Sequence, residues 1–295
     1  MDNALTVYFS TGAFRNNSLV EILNYCVRYG IRNLELSSGV KPAPTYLETL
    51  AMFRDECQFL VHNYFPPPQI PFVLNLAATD KGTLRQSRDH CRAAIDLCMT
   101  LGSPFYSVHS GFALNLTPEL LGKPRQQSRL SSEYIIKPEI AYETFAESVD
   151  YLSRYAESRG VGLLVENNVV TTAHVTAGKA GALLMVRAEE ILRLMADISC
   201  PNLGVLVDVG HLKVSANALG YSPDSFISEI RPYIRAFHLS DNDGQTDQNR
   251  LVSKSSWFWP AVRQFPDATI VLEAYNLIEA EISEQRMVIE GALKK

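Results

Sequence analysis

Short apolar runs alternate along this chain with longer stretches in which apolar residues recur every three or four positions. The short runs read as strands and the longer ones as amphipathic helices. Eight strands are predicted: Leu5 to Ser10, Asn33 to Leu36, Gln58 to His62, Phe105 to His109, Gly162 to Glu166, Gly204 to Asp208, Ile234 to Leu239 and Thr269 to Glu273. Helical runs between them include Ser18 to Tyr29, Thr83 to Leu101, Pro138 to Arg159, Arg187 to Asp197, Ser222 to Ile230 and Ile278 to Leu293. Several open on a Ser, Thr or Asp cap, and Gly30, Gly102 and Gly160 stand where a helix should stop.

An eightfold strand-helix alternation with no break in composition favours an α/β fold, a closed (β/α)8 barrel forming a single domain over residues 1–295. A doubly wound open sheet is the alternative. Three connections are long: Ser110 to Lys137, Asn167 to Val186 and Ser240 to Ser256. Each follows a strand and precedes a helix, so in a barrel all three lie on the C-terminal face, where such folds build pockets and lids.

The 295 residues are 46% hydrophobic and 20% charged, a composition able to fill a large core. The formal net charge of −5 argues against the basic footprint that a nucleic-acid backbone needs. No positive region followed by an apolar stretch opens the chain, and no run approaches the roughly 18 apolar residues of a membrane span. A cytoplasmic protein without membrane contact is expected. Cys26, Cys57, Cys91, Cys98 and Cys200 are scattered and form no C-x-x-C pair, so they are expected as reduced core residues.

The ionisable residues change the picture most. His62, His109, His211 and His238 lie at or just beyond predicted strand ends, and Glu35, Glu166, Asp208 and Glu273 share that position. In a barrel these ends converge on one mouth. Carboxylates and imidazoles gathered there need a neutralising cation, and mixed O/N ligands suit Mn²⁺, Zn²⁺, Co²⁺ or Fe²⁺, with Mg²⁺ also admitted and Mn²⁺ or Zn²⁺ favoured.

Each motif alone is ambiguous. LLVENN (163–168) and IVLEAY (270–275) drive apolar strands into Glu166 and Glu273, which alone could be salt-bridge residues. GVLVDVGHLKVSA (204–216) is stronger, because Asp208 and His211 can both face the mouth. FHLSDNDG (237–244) offers His238 with Asp241 and Asp243 beyond it, or a capped polar turn. His62 in VHNYFPPP and His109 in SVHSGF each read, in isolation, as satisfied core histidines. Lys213 suits an anionic substrate group or a plain surface charge, and His174 a substrate contact or solvent. His90 is expected to be solvated on its helix, and Trp257, Phe258 and Trp259 to pack a helix on the barrel. No G-x-G-x-x-G, Walker loop, G-x-S-x-G or H-E-x-x-H is present, which weakens nucleotide, phosphoryl-transfer, serine-hydrolase and zincin readings.

Taken in order, VHNYFPPP, YSVHSGF, LLVENN, VDVGHLK, FHLSDNDG and VLEAY resemble the xylose-isomerase-like TIM barrel superfamily over nearly the whole chain. That superfamily holds sugar and sugar phosphate isomerases and epimerases, inosose dehydratases and apurinic endonucleases. The epimerase branch implies that Glu166, Asp208, His238 and Glu273 bind one divalent metal, with Glu166 and Glu273 also moving protons through an enediolate. The endonuclease branch implies a three-metal set that would add His62, His109 and His211. It also has an Asp-x-His pair, whose counterpart here is Asp247 and Asn249, so a histidine is missing.

The expected activity is therefore metal-dependent isomerisation or epimerisation of a small sugar, sugar phosphate or polyol. His62, His109, His211, Lys213 and Asp247 are expected to bind substrate or a second ion. A phosphodiester-cleaving endonuclease and a non-catalytic sugar-binding barrel are the alternatives. Nucleic acid is not the expected partner, and a homo-oligomer stays open.

Overall fold

A computed structural model of the protein describes residues 7–120, 132–175 and 181–294. Its eight parallel strands close into a barrel in chain order: β1 (Val7–Ser10), β2 (Asn33–Leu36), β3 (Gln58–His62), β4 (Phe105–His109), β5 (Gly162–Glu166), β6 (Leu203–Asp208), β7 (Ile234–Leu239) and β8 (Thr269–Leu272). Closure runs through β1 and β8, where Val7, Tyr8 and Phe9 pair with Ile270, Val271 and Leu272. The expected strand positions hold to within a residue or two. Leu5 and Thr6 of the first one lie outside the described residues, and Glu273 sits just past the end of β8.

The outer layer among the described residues is α1 (Leu19–Arg28), α2 (Tyr46–Phe53), α3 (Lys81–Leu101), α4 (Pro138–Glu157), α5 (Ala188–Asp197), α6 (Val209–Leu219), α7 (Pro223–Glu229), the short α8 (Trp259–Val262) and α9 (Glu279–Leu293). On α1, Leu19, Ile22, Leu23 and Cys26 are buried, the spacing of one helix face. Asp80 caps α3 by accepting from Thr83 N at 2.8 Å, and Gly102 ends that helix with φ 69°, a left-handed conformation that a side chain would resist. The pattern along the chain did not single out α2 or α6. The second matters for the site, because α6 begins at the residue after β6 with no loop between them.

Side chains along a strand alternate between faces, and this period of two builds the site. Tyr8, Leu60, Phe105, Leu164, Leu206, Ala236 and Val271 form a buried apolar layer inside the barrel, separate from the larger core packed between strands and helices. Two residues on, towards the C-terminal ends and on the same face, stand His62, Glu166, Asp208, His238 and Glu273. The apolar layer is thus a dry floor beneath a polar one. A register shift between β6 and β7 completes the alignment: Val205 pairs with Ile234, but Leu206 pairs with Ala236, so Arg235 is passed over and left exposed. That extra residue brings Asp208 and His238 side by side.

Phe258 and Trp259 are buried in the outer core, and Trp259 Nε1 donates to Ser253 O at 2.7 Å. His90 departs from expectation. It is half-buried against the rings of Tyr64 and Phe72, with Nε2 3.3 Å from Asn63 O, because the loop after β3 folds back over α3. All five cysteines are free and buried. No helix among the described residues is long and apolar enough to cross a membrane.

Candidate metal centre

The ends of β5, β6, β7 and β8 deliver Glu166, Asp208, His238 and Glu273 to one point. Their potential ligand atoms all lie within 4.8 Å of one another, and all four residues are buried. His238 Nδ1 stands 2.7 Å from Glu273 Oε2, 3.8 Å from Glu166 Oε1 and 4.0 Å from Asp208 Oδ2. Around a cation bound at about 2.0–2.2 Å, neighbouring ligand atoms sit roughly 3.0–3.5 Å apart and opposite ones about 4.2 Å apart. The observed separations span that range.

These atoms do not satisfy one another. Both carboxylate oxygens of Glu166, Asp208 Oδ2 and His238 Nδ1 are buried without a hydrogen-bond partner. The close approach of His238 Nδ1 to Glu273 is therefore not aligned as a hydrogen bond. Buried polar atoms in native proteins are nearly always paired, so unpaired ones aimed at a common point fit a cation.

The electrostatics agree. Burial pushes Glu166 well above the usual carboxylate range and Asp208 up to about 6. Burial alone would lift Glu273 too, but the charged imidazoles of His238 and His211 pull it well below. Burial also works against the protonation of His238, yet the charges of Glu273 and Glu35 overcome it and hold the ring protonated. On its own, then, the cluster keeps only part of its carboxylate charge and ties up the His238 nitrogen that faces the ligands. A divalent cation would ionise the carboxylates and free that nitrogen.

Each of these side chains is held from behind. Asp208 caps α6 by accepting from His211 N through Oδ1 at 2.7 Å, which leaves Oδ2 for the centre. The Asn167 side chain bridges β5 to β6, accepting from Asp208 N at 2.9 Å and donating to Asp208 O at 3.1 Å. His238 Nε2 donates to Glu35 Oε2 at 2.9 Å, both side chains being fully buried, and when the ring gives up one proton this contact keeps the other on Nε2, away from Nδ1. Tyr275 OH donates to Glu273 Oε1 at 3.1 Å.

The remaining histidines surround this core. His62 Nε2 and His109 Nε2 are 3.3 Å apart and lie 3.6 and 3.4 Å from Glu166 Oε2, a second group spaced for a cation. Ser107 Oγ contacts His62 Nδ1 at 2.9 Å. Burial and neighbouring imidazoles push both His62 and His109 below the ordinary histidine value, so they are neutral. His211 Nδ1 lies 2.9 Å from Asn167 O and 3.3 Å from Glu166 Oε1, while its Nε2 is 3.4 Å from Asp247 Oδ2.

Not every candidate reaches the mouth. Lys213 Nζ is paired with Asp241 at 2.7 Å and with the carbonyl of Asn242, away from the ligands. Asp243 caps its own turn by accepting from Gln245 N and Thr246 N. His174 closes a local turn with Thr171 but also borders the open cavity over the mouth, and Asn249 donates to Asp247 Oδ2 at 3.2 Å. Sequence reading missed the supporting roles of Ser107, Asn167 and Tyr275, and it saw Glu35 as a strand-end acid without assigning it a partner. Tyr275 and Asn167 directly follow or closely follow the ligand glutamates in VLEAY and LLVENN, which was the available signal.

Above the cluster opens a cavity of about 1090 Å³, bounded by the loops after β3, β4 and β5 and lined at its inner end by His109 and Asp247.

Comparison with known proteins gives this geometry a context. Fructoselysine 3-epimerase of Shigella flexneri is 22% identical over 187 residues, a stretch that covers 63% of this chain and 56% of that enzyme's length. Among solved structures, a D-tagatose 3-epimerase-like protein superposes with a TM-score of 0.73 at 19% identity, covering 98% of this chain and 97% of its own. The 3-keto-D-glucoside 4-epimerase of E. coli gives 0.69 at 11% identity, covering 99% and 100%. At such identities the superpositions establish the fold alone. The sequence profile of the xylose isomerase-like TIM barrel matches residues 23–267. The chain belongs to the xylose isomerase-like TIM barrel family.

Proposed function

We propose that the barrel mouth is the active site of a divalent-metal-dependent isomerase or epimerase of a small sugar or related polyol. The observation that carries this reading is the convergence of Glu166, Asp208, His238 and Glu273 on one point, buried, with unpaired ligand atoms. The names of its relatives, a fructoselysine 3-epimerase and a D-tagatose 3-epimerase-like protein, support it.

Glu166, Asp208, Glu273 and the Nδ1 of His238 would hold the ion. When bound, it would supply Lewis acidity to two neighbouring substrate oxygens and so acidify the C–H beside the carbonyl. Glu166 and Glu273 come from opposite sides of this half of the barrel, on β5 and just past β8. With one oxygen of each turned to the centre, the other can take or return a proton. The free oxygen of Glu273 is steadied by Tyr275, and that of Glu166 faces His62 and His109. Those neutral imidazoles, with His211, are placed to hydrogen-bond substrate hydroxyls. The apolar floor excludes water from below, which strengthens each of these contacts.

One observation favours a second reading. His62, His109 and Glu166 form a further group spaced for a cation, as a phosphodiester-cleaving barrel with several metals would need. Against it, Asn249 engages Asp247 through an amide where such a site calls for an imidazole.

The test is elemental analysis of protein purified without chelator, followed by incubation of the Mn²⁺- or Zn²⁺-loaded enzyme with D-fructose, D-tagatose and D-psicose in heavy water. Epimer formation with deuterium at the carbon next to the carbonyl is expected. Three equivalents of zinc together with efficient nicking of abasic duplex DNA would replace this reading with the second.

A further inference from the structure

The cavity over the metal centre is far larger than a sugar and is walled by hydrocarbon. A hexose has a dozen heavy atoms, and at the roughly 30 Å³ that a whole water occupies in the liquid they would fill at most about 360 Å³. The cavity measures about 1090 Å³. Phe72 and Leu74 from the loop after β3, Leu114, Leu116 and Ile135 from the loop after β4, and Leu183 from the loop after β5 line its outer part. Apart from Leu74, which packs against the core, these side chains stand free of it: Ile135 is 57% exposed, and Phe72, Leu114, Leu116 and Leu183 are partly exposed. His109, Ser110, Asn168 and Asp247 line the inner end next to the cluster, while Tyr64, Thr171 and His174 are polar side chains set among the apolar walls. One continuous space thus runs from a polar, ligand-rich floor to an apolar rim.

We propose that the substrate is amphipathic: a sugar or polyol head bound at the cluster, carrying an aryl or alkyl substituent that lies against the Phe72, Leu116 and Leu183 wall. This rests on the reading of the mouth as a sugar isomerase site and narrows its substrate class. The physical reason is that a free sugar would leave these apolar side chains wet and gain nothing from them, whereas each methylene buried there multiplies affinity roughly fourfold. The polar inner end selects the head and the apolar rim selects the tail. Because the tail contacts are remote from the reacting carbon, they also orient the head against Glu166 and Glu273.

The probes are 6-O-methyl- and 6-O-benzyl-D-fructose, which differ only at the end remote from the carbonyl. Binding to the metal-loaded protein is measured by calorimetry, and solvent deuterium uptake is measured separately. The benzyl compound is expected to bind at least about tenfold more tightly than the methyl compound. Leu116→Ser and Leu183→Ser should each shrink that ratio while leaving the methyl compound's affinity within about twofold. A benzyl-to-methyl ratio near one in the wild-type protein, or no binding of either probe, would overturn the proposal. A high ratio that both variants leave intact would also overturn it, by putting the benzyl group elsewhere. If the ratio holds and collapses as expected but no sugar takes up deuterium, the apolar subsite stands and the isomerase reading fails.

Discussion

Replacing Glu35 with Gln should weaken binding of Mn²⁺ or Zn²⁺ by about 10- to 100-fold without unfolding the barrel. Glu35 is not one of the four converging ligands proposed, but it contacts one of them. It accepts the Nε2 proton of His238 at 2.9 Å, with both side chains fully buried. A hydrogen bond to a buried carboxylate is worth about 1.5–3 kcal/mol and a neutral one about 1 kcal/mol, so the lost charge alone removes roughly 0.5–2 kcal/mol from the basicity of Nδ1. The amide adds a second effect. Glu35 Oε1 is buried without a partner, so the new NH₂ either sits unpaired or turns towards His238. In the second case it would demand that Nε2 accept, which moves the ring proton onto Nδ1 and blocks that ligand. Competition against a fluorescent chelator gives the metal Kd, with circular dichroism and thermal unfolding of the metal-free protein as the control for folding. A Kd within about twofold of wild type in a folded variant would refute the claim that Glu35 sets the His238 tautomer.

Four further outcomes follow from the same geometry. Asp208→Ala and His238→Ala each remove one of four converging ligand atoms, and elemental analysis should find both proteins folded and depleted of metal; full occupancy in both would show the ligand set to be wrong. Glu166→Gln and Glu273→Gln keep an oxygen for the ion but cannot carry a proton, so solvent deuterium should stop entering a substrate that the wild type labels, and continued labelling by either variant would clear that residue of the role. Gly210→Ala should cost about 1–3 kcal/mol by urea unfolding, because the added methyl carbon would lie 2.4 Å from Ser240 Oγ and 3.2 Å from Asp208 Oδ1; an unchanged midpoint would mean that the start of α6 can shift freely. Burial holds His90 below its ordinary value of 6.5, so as the pH falls through that value the unfolded chain binds the proton first. The native state should therefore lose up to about 1.4 kcal/mol per pH unit on the acid side of that point, and His90→Phe should flatten the slope immediately below that value. An identical acid-side loss in the variant would refute it.

The eight strands, their order and the ionisable residues at their ends were readable from the chain. The reason is that a buried strand announces itself locally, as an apolar run, and that a charged residue closing such a run is out of place unless the fold needs it. LLVE, VLVD, AFHL and VLE each carry that signal within a few residues. Glycine stops such as Gly102 were equally legible, because the left-handed conformation is a property of a single residue.

What lay beyond the sequence is everything that depends on which strand end faces which. Glu35 and His238 are 203 residues apart, and their hydrogen bond exists because closing the barrel lays β2 across the mouth from β7. The same closure sets His62 against His109 and both against Glu166. Lys213 and Asp241 carried plausible site chemistry in sequence, but α6 and the loop after β7 bring them to each other and away from the ligands. The bulge at Arg235 leaves no mark in the apolar pattern, yet it decides that His238 stands beside Asp208. Local patterning determined the elements and the residue types at their ends, because helix and strand periods are short-range properties. Only tertiary structure decided the partners, because contact between strand ends is set by barrel closure and register, quantities that no single segment contains.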